Sequence, residues 1–106
     1  MNIIAGIRKW QLNRQLKQYH EYIQIEKSTI LDRAVLDIRN PKKQHLFLEI
    51  GKECLLQAQF IFEKDSGHIR VGNNVHIGAG TKLISIHEIE IGNDVTIAWD
   101  CTIYDG

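Results

Sequence analysis

Val71-Gly72-Asn73-Asn74-Val75 and Ile91-Gly92-Asn93-Asp94-Val95 have the same five-residue pattern: an aliphatic residue, a glycine, two polar residues and a small apolar one. Ile50-Gly51-Lys52-Glu53-Cys54 is an earlier copy. Six residues after each start the aliphatic position returns, at Leu56, Ile77 and Ile97, and six further on at Phe62, Leu83 and Ile103. The small position keeps the same beat at Thr81 and Cys101, and Phe60 is too large for it. The copies begin at 50, 71 and 91, so the outer periods are 21 and 20. A fainter copy lies upstream at Ile30, Ala34 and Leu36.

An inner period of six inside an outer period near twenty predicts short strands, three to a coil, forming the flat sides of a prism. The aliphatic residue fills an interior corner, and the small residue four places later also points inward. Gly72, Gly78 and Gly92 suit tight corners, where a side chain would clash or φ is positive. One coil cannot bury its own core, so the coils stack. Leu48-Glu49-Ile50, Ile69-Arg70-Val71 and Ile89-Glu90-Ile91 are then one element three times, with Glu49, Arg70 and Glu90 in one outward column. The extra residues that lengthen the period beyond eighteen (three times six) are placed at the corner holding Lys64–Gly67 and Ser85–Glu88. An ordinary β-sandwich of short strands is the competing reading, and it offers no reason for the in-phase hexapeptides.

The segments VGNNVH-IGAGTK-LISIHE and IGNDVT-IAWDCT-IYDG resemble the hexapeptide-repeat acyltransferases, and the resemblance runs from about Thr29 to Gly106. It implies an all-β, left-handed parallel β-helix, an exception to the right-handed rule for parallel crossovers. The helix ahead of the coils and the 20-residue coil length look most like members that O-acetylate capsular polysaccharides or sugars. By that resemblance acetyl-CoA is the co-substrate, a sugar or polysaccharide hydroxyl is the acceptor, and the assembly is a homo-oligomer, a trimer with its cleft between subunits. The family's general base is a histidine, whose pKa near working pH suits removal of a hydroxyl proton. It follows a stretch similar to Thr102–Gly106, and the sequence in hand stops first. No base is therefore carried over. The 106-residue chain is expected to be inactive alone and to bind no acetyl-CoA tightly, as an N-terminal portion of such an enzyme. The alternative is a non-catalytic β-helix module, a scaffold for oligomerisation or a remnant subunit.

Other residues weighed for chemistry are few. His76 and His87 are the substitute histidines, with Glu88 and Asp100 as possible orienting carboxylates; His20, His45 and His68 read as surface residues. Trp99 falls two places after the inward Ile97 and is expected to face outward, at an interface or an acceptor surface. Asp105 either shapes the acceptor site or accepts backbone hydrogen bonds at a corner. Gly78-Ala79-Gly80 lacks the strand-to-helix setting of a phosphate loop.

Residues 1–25 are expected to form a capping helix and residues 26–106 the coils. Leu12, Leu16, Tyr19 and Ile23 lie on one face of a helix running from Asn2 to about Gln24, and Ile3 and Ile7 begin a similar stripe. With Arg8, Lys9, Arg14 and Lys17 elsewhere, the helix is basic and amphipathic, which would suit a membrane surface. Covering the exposed edge of the first coil, near Ile30 and Leu36, is the preferred role, so membrane association is not expected. His45–Glu49 is expected to resume strand with Leu46 and Leu48 alternating, after a polar loop at Asn40–Gln44.

A chain of this length is one domain at most. A quarter of its residues are charged and the formal net charge is zero, which gives no reason to expect nucleic acid. Cys54 and Cys101 fall on small inward positions two coils apart, so they are read as packed thiols, with no metal site. A reducing, cytoplasmic compartment fits, and no stretch reads as a signal peptide or membrane span.

Overall fold

A computed structural model describes the backbone of residues 3–106 and the side chains of residues 9–106. Ile3 and Ile7, and with them the start of the first apolar stripe, have side chains outside the described residues. Among the described residues one α-helix, α1 (Ile3–Gln18), and a short 3-10 turn at His20–Tyr22 precede twelve short strands. β1 (Ile23–Ile25), β4 (Leu48–Ile50), β7 (Ile69–Val71) and β10 (Ile89–Ile91) form the first face. β2 (Ile30–Leu31), β5 (Leu55–Leu56), β8 (His76–Ile77) and β11 (Thr96–Ile97) form the second. β3 (Val35–Ile38), β6 (Gln59–Phe62), β9 (Lys82–Ile84) and β12 (Thr102–Tyr104) form the third. Every pairing is parallel, so the chain is a three-sided parallel solenoid of four coils.

The columns follow the repeat. Ile50, Val71 and Ile91 are register partners on the first face, and Leu56, Ile77 and Ile97 on the second. Side chains alternate in and out at period two within each strand, so Ile69 and Val71 are buried while Arg70 between them is exposed. Gly51 and Gly72 are required by close approach. A Cβ on Gly51 would lie 2.6 Å from the Gly72 carbonyl oxygen, and one on Gly72 would lie 2.9 Å from the Gly92 carbonyl carbon. The positive φ that tightens this corner falls two residues later, at Glu53 (61°), Asn74 (56°) and Asp94 (58°). Amide side chains bind this corner between coils: Asn73 Oδ1 accepts from Lys52 N, and Asn93 Oδ1 accepts from Asn73 N.

The third column departs from the sequence reading. Phe60, not Phe62, is the partner of Leu83 and Ile103. Ala58 is then the small inward residue, fully buried like Thr81, and Phe60 breaks no size rule. The step from the second face to the third is six residues in coils three and four (Ile77 to Leu83, Ile97 to Ile103) but four in coil two (Leu56 to Phe60). The missing pair includes the left-handed residue found there in other coils, Arg33, Gly80 or Asp100. The next corner more than restores the length: Ile38 to Leu48 takes ten residues, Phe62 to Ile69 seven and Ser85 to Ile89 four.

The first coil is also shifted. Ile25 and Leu31 are the inward partners of Ile50 and Leu56, so the first period is 25. Ile30 pairs with Leu55 and is 61% exposed, which corrects its inward placement. Two adjacent aliphatic residues with no corner glycine leave the period-two phase undetermined in sequence. Ala34 and Leu36 are inward as expected. Before β4 it is Phe47, not Leu46, that is fully buried; its ring meets the edges of Phe62 at 5.2 Å and Tyr22 at 6.0 Å, filling the longest corner.

The helix α1 stops at Gln18 rather than near Gln24, and Ile23 belongs to the first strand. Leu12 is buried, and Leu16 and Tyr19 pack against the core. Gln15 Oε1 accepts a hydrogen bond from Leu36 N, tying the helix to β3. The apolar stripe thus packs on the β3 side of the first coil, and a cleft stays open between Leu12 and Leu16 of the helix and Ile25 and Leu31 of the coil. Among the described residues no helix is long and apolar enough to cross a membrane.

Candidate functional site

The outward residues of the second face form a column: Ile30, Leu55, His76 and Thr96. Beyond β11 the chain turns at Ala98, and Trp99 projects with 73% of its surface exposed. His76, Thr96 and Trp99 line one shallow cleft of about 250 Å³, floored by Leu55, Gly78 and Ala98. Gly78 is tight here, since a Cβ would lie 2.9 Å from the Trp99 ring. The structure therefore brings together two of the residues singled out in sequence, His76 and Trp99. The imidazole of His76 is exposed and has no carboxylate partner among the described residues.

His87 and Asp105 lie together at the third corner, apart from that cleft. Asp105 Oδ1 accepts from Ile86 N at 2.6 Å, and Oδ2 accepts from the Ser85 hydroxyl at 2.9 Å and from His87 N at 3.0 Å. Partial burial works against the charged carboxyl, but these donors together outweigh it, so Asp105 stays below the usual carboxylate range. Both oxygens are committed to the backbone and hydroxyl of the preceding coil. The corner role is the one its geometry displays.

One histidine is oriented by a carboxylate. His68 Nε2 lies 2.7 Å from Glu49 Oε2, and its Nδ1 lies 3.9 Å from Glu88 Oε1. Read as a surface residue in sequence, it is half-buried and spans three coils. The signal was present in the stacking: His68 directly precedes Ile69, which is the register partner of Leu48, the neighbour of Glu49. Of the histidines it alone has the arrangement of an imidazole with a positioning carboxylate, and it lies outside the described clefts. Among the described residues no three His, Cys, Asp or Glu side chains gather as a metal site. Cys54 and Cys101 are free thiols.

The third and fourth coils keep a six-residue step from face to face. The chain is 34% identical over 76 residues to a protein described as bifunctional protein GlmU from Francisella philomiragia. That match takes in 72% of this chain but 14% of the relative, so the chain spans about a seventh of that protein's length. No family model matches the chain. No solved structure matches it significantly.

Proposed function

We propose that the chain is part of an acyl-CoA-dependent acyltransferase of the hexapeptide-repeat type, transferring acetyl groups to a hydroxyl of a sugar or polysaccharide. The observation that carries this is the in-register hexapeptide stack, and the similarity to the GlmU protein over most of the stack supports it. In this reading the cleft at His76 and Trp99 lies at a subunit boundary of a homo-oligomer, a trimer by resemblance. A hydroxyl oxygen attacks the thioester carbon as a base takes its proton, the carbon–sulfur bond breaks, and the base passes that proton to the departing sulfur, so CoA leaves as the thiol. Acetyl-CoA is the co-substrate.

His76 has no positioning carboxylate, and loss of a well-placed base costs about 10²–10⁴ in rate. The 106-residue chain alone should therefore give no detectable acceptor-dependent CoA release. The same chain continued through any coding sequence after Gly106 should release CoA when a sugar acceptor is added. Release by neither sample would overturn the enzyme reading. The second reading, a non-catalytic oligomerisation module, is favoured by one observation: Ile30, Leu55 and Trp99 expose apolar surface on a single face.

A further inference from the structure

The two residues missing from the second corner of coil two leave a notch in the wall of the solenoid. Gln57 and Gln59 form its floor, Arg33 rims it from coil one and Gly80 from coil three. Gln11 and Gln15 of α1 close it from above, and the enclosed volume is about 370 Å³. That is within the range of small-molecule sites, about 300–1,000 Å³. The lining is unusual for a corner, with four carboxamides and one guanidinium. Gln15 Oε1 is occupied by Leu36 N, which leaves its amide N–H groups as donors. Gln57 Nε2 donates to Asp32 Oδ2, which leaves its Oε1 as an acceptor. Arg33 lies 3.4 Å from the same Asp32 carboxylate, so among the described residues the cation at the rim is already paired.

We propose that this notch binds a neutral saccharide unit. A sugar hydroxyl both donates and accepts, and a carboxamide offers one group of each kind. Val35, which also lines the notch and is 37% exposed, suits the C–H face of a pyranose ring. Among the described residues an anion would meet only a guanidinium already shared with Asp32. Gln57 lines the cleft of His76 and Trp99 as well, so the two cavities adjoin. A ring held in the notch can extend a hydroxyl toward that cleft. Its role as an acceptor subsite rests on the acyl-transfer reading; the binding does not.

The test is nuclear magnetic resonance on the full chain, following the side-chain amides of Gln11, Gln15, Gln57 and Gln59. The probes are methyl β-D-glucoside, methyl β-D-galactoside and N-acetylglucosamine, with inorganic phosphate and acetate as charged controls. At least one sugar should shift these amides saturably, and Gln57→Leu should weaken that binding about tenfold, as expected for a lost hydrogen bond. Ala79→Trp, at an exposed position on the rim, should fill the notch and abolish the shifts while the remaining backbone spectrum is retained. No saturable shift with any of the sugars, equal shifts with phosphate or acetate, or shifts that survive Ala79→Trp would each overturn the proposal. CoA release plays no part in this readout, so failure of sugar binding and failure of acyl transfer are told apart.

Discussion

Asp105 joins the last coil to the one before it through three short hydrogen bonds to a single carboxylate. Its pKa is lower in the folded chain than the ordinary value of 3.8. The bound carboxylate therefore stabilises the fold above that value, and the contribution is lost as pH falls through the lower, folded-state pKa. Asp105→Asn should cost about 1–3 kcal/mol at neutral pH, as hydrogen bonds to a charged group do. It should also flatten the loss of stability at acid pH, which urea unfolding at neutral and acid pH would show. Glycine at the first corner gives a second test at this scale. Gly72→Ala forces a methyl group against the Gly92 backbone, while a Cβ on Gly92 meets nothing within 4 Å. Overpacking of this kind costs about 1–3 kcal/mol, so Gly72→Ala should lower the urea midpoint and Gly92→Ala should leave it nearly unchanged.

The helix α1 docks through its apolar stripe and the Gln15 hydrogen bond, so that stripe is a sensitive element. Leu12 is 6% exposed against the first coil, and burial of such a side chain stabilises by about 1.5–3 kcal/mol. The double change Leu12→Asp, Leu16→Asp should therefore unfold or aggregate the chain, as read by circular dichroism and light scattering; an equally stable soluble product would mean the helix does not dock. At this scale the sequence is most readable where a glycine marks the phase. Gly51, Gly72 and Gly92 fix the strands after them, and those columns are found in the expected register. Where no glycine marks the phase, the alternation of apolar residues fits two phases, and Ile30 and Leu31 were exchanged. Phe60 and Phe62 presented the same choice, and the four-residue corner settled it by packing Ala58 inward. Phe47 carries no periodic signal, because corner residues obey no period. His68 and Glu49 are separated by nineteen residues, and only the stacking makes them neighbours.

Over the described residues, the second face carries a group of apolar side chains on its outside. Ile30 and Leu55 are register partners with 61% and 39% exposure, and Trp99 stands beside the same sheet. Exposed apolar surface of this kind marks contact sites. The 106-residue chain should sediment as an associate whose mass falls when Leu55→Lys and Trp99→Lys are combined, because burying unpaired ammonium groups at such a contact is costly. An associate indifferent to both changes would point instead to the final coil, where Val95, Ile97 and Ile103 are half-buried beside the fully buried Val75 and Leu83.

The parallel register of the coils has a mechanical consequence. The rungs Gly51 N to Val71 O and Gly72 N to Ile91 O, and their counterparts on the other faces, point from one coil to the next. A load applied across the stack therefore stretches these bonds along their own direction, opening one layer before the next is strained. Strands sheared past each other would instead share the load among many bonds at once. Pulled in an optical trap from handles near Gln24 and Gly106, the solenoid should yield at low force in several small extensions of about one coil each, the additive behaviour expected of a stack in which each unit touches only its neighbours. A single abrupt release of the whole length would mean that the interior aromatic residues, Phe47, Phe60 and Phe62, bind the layers into one mechanical unit.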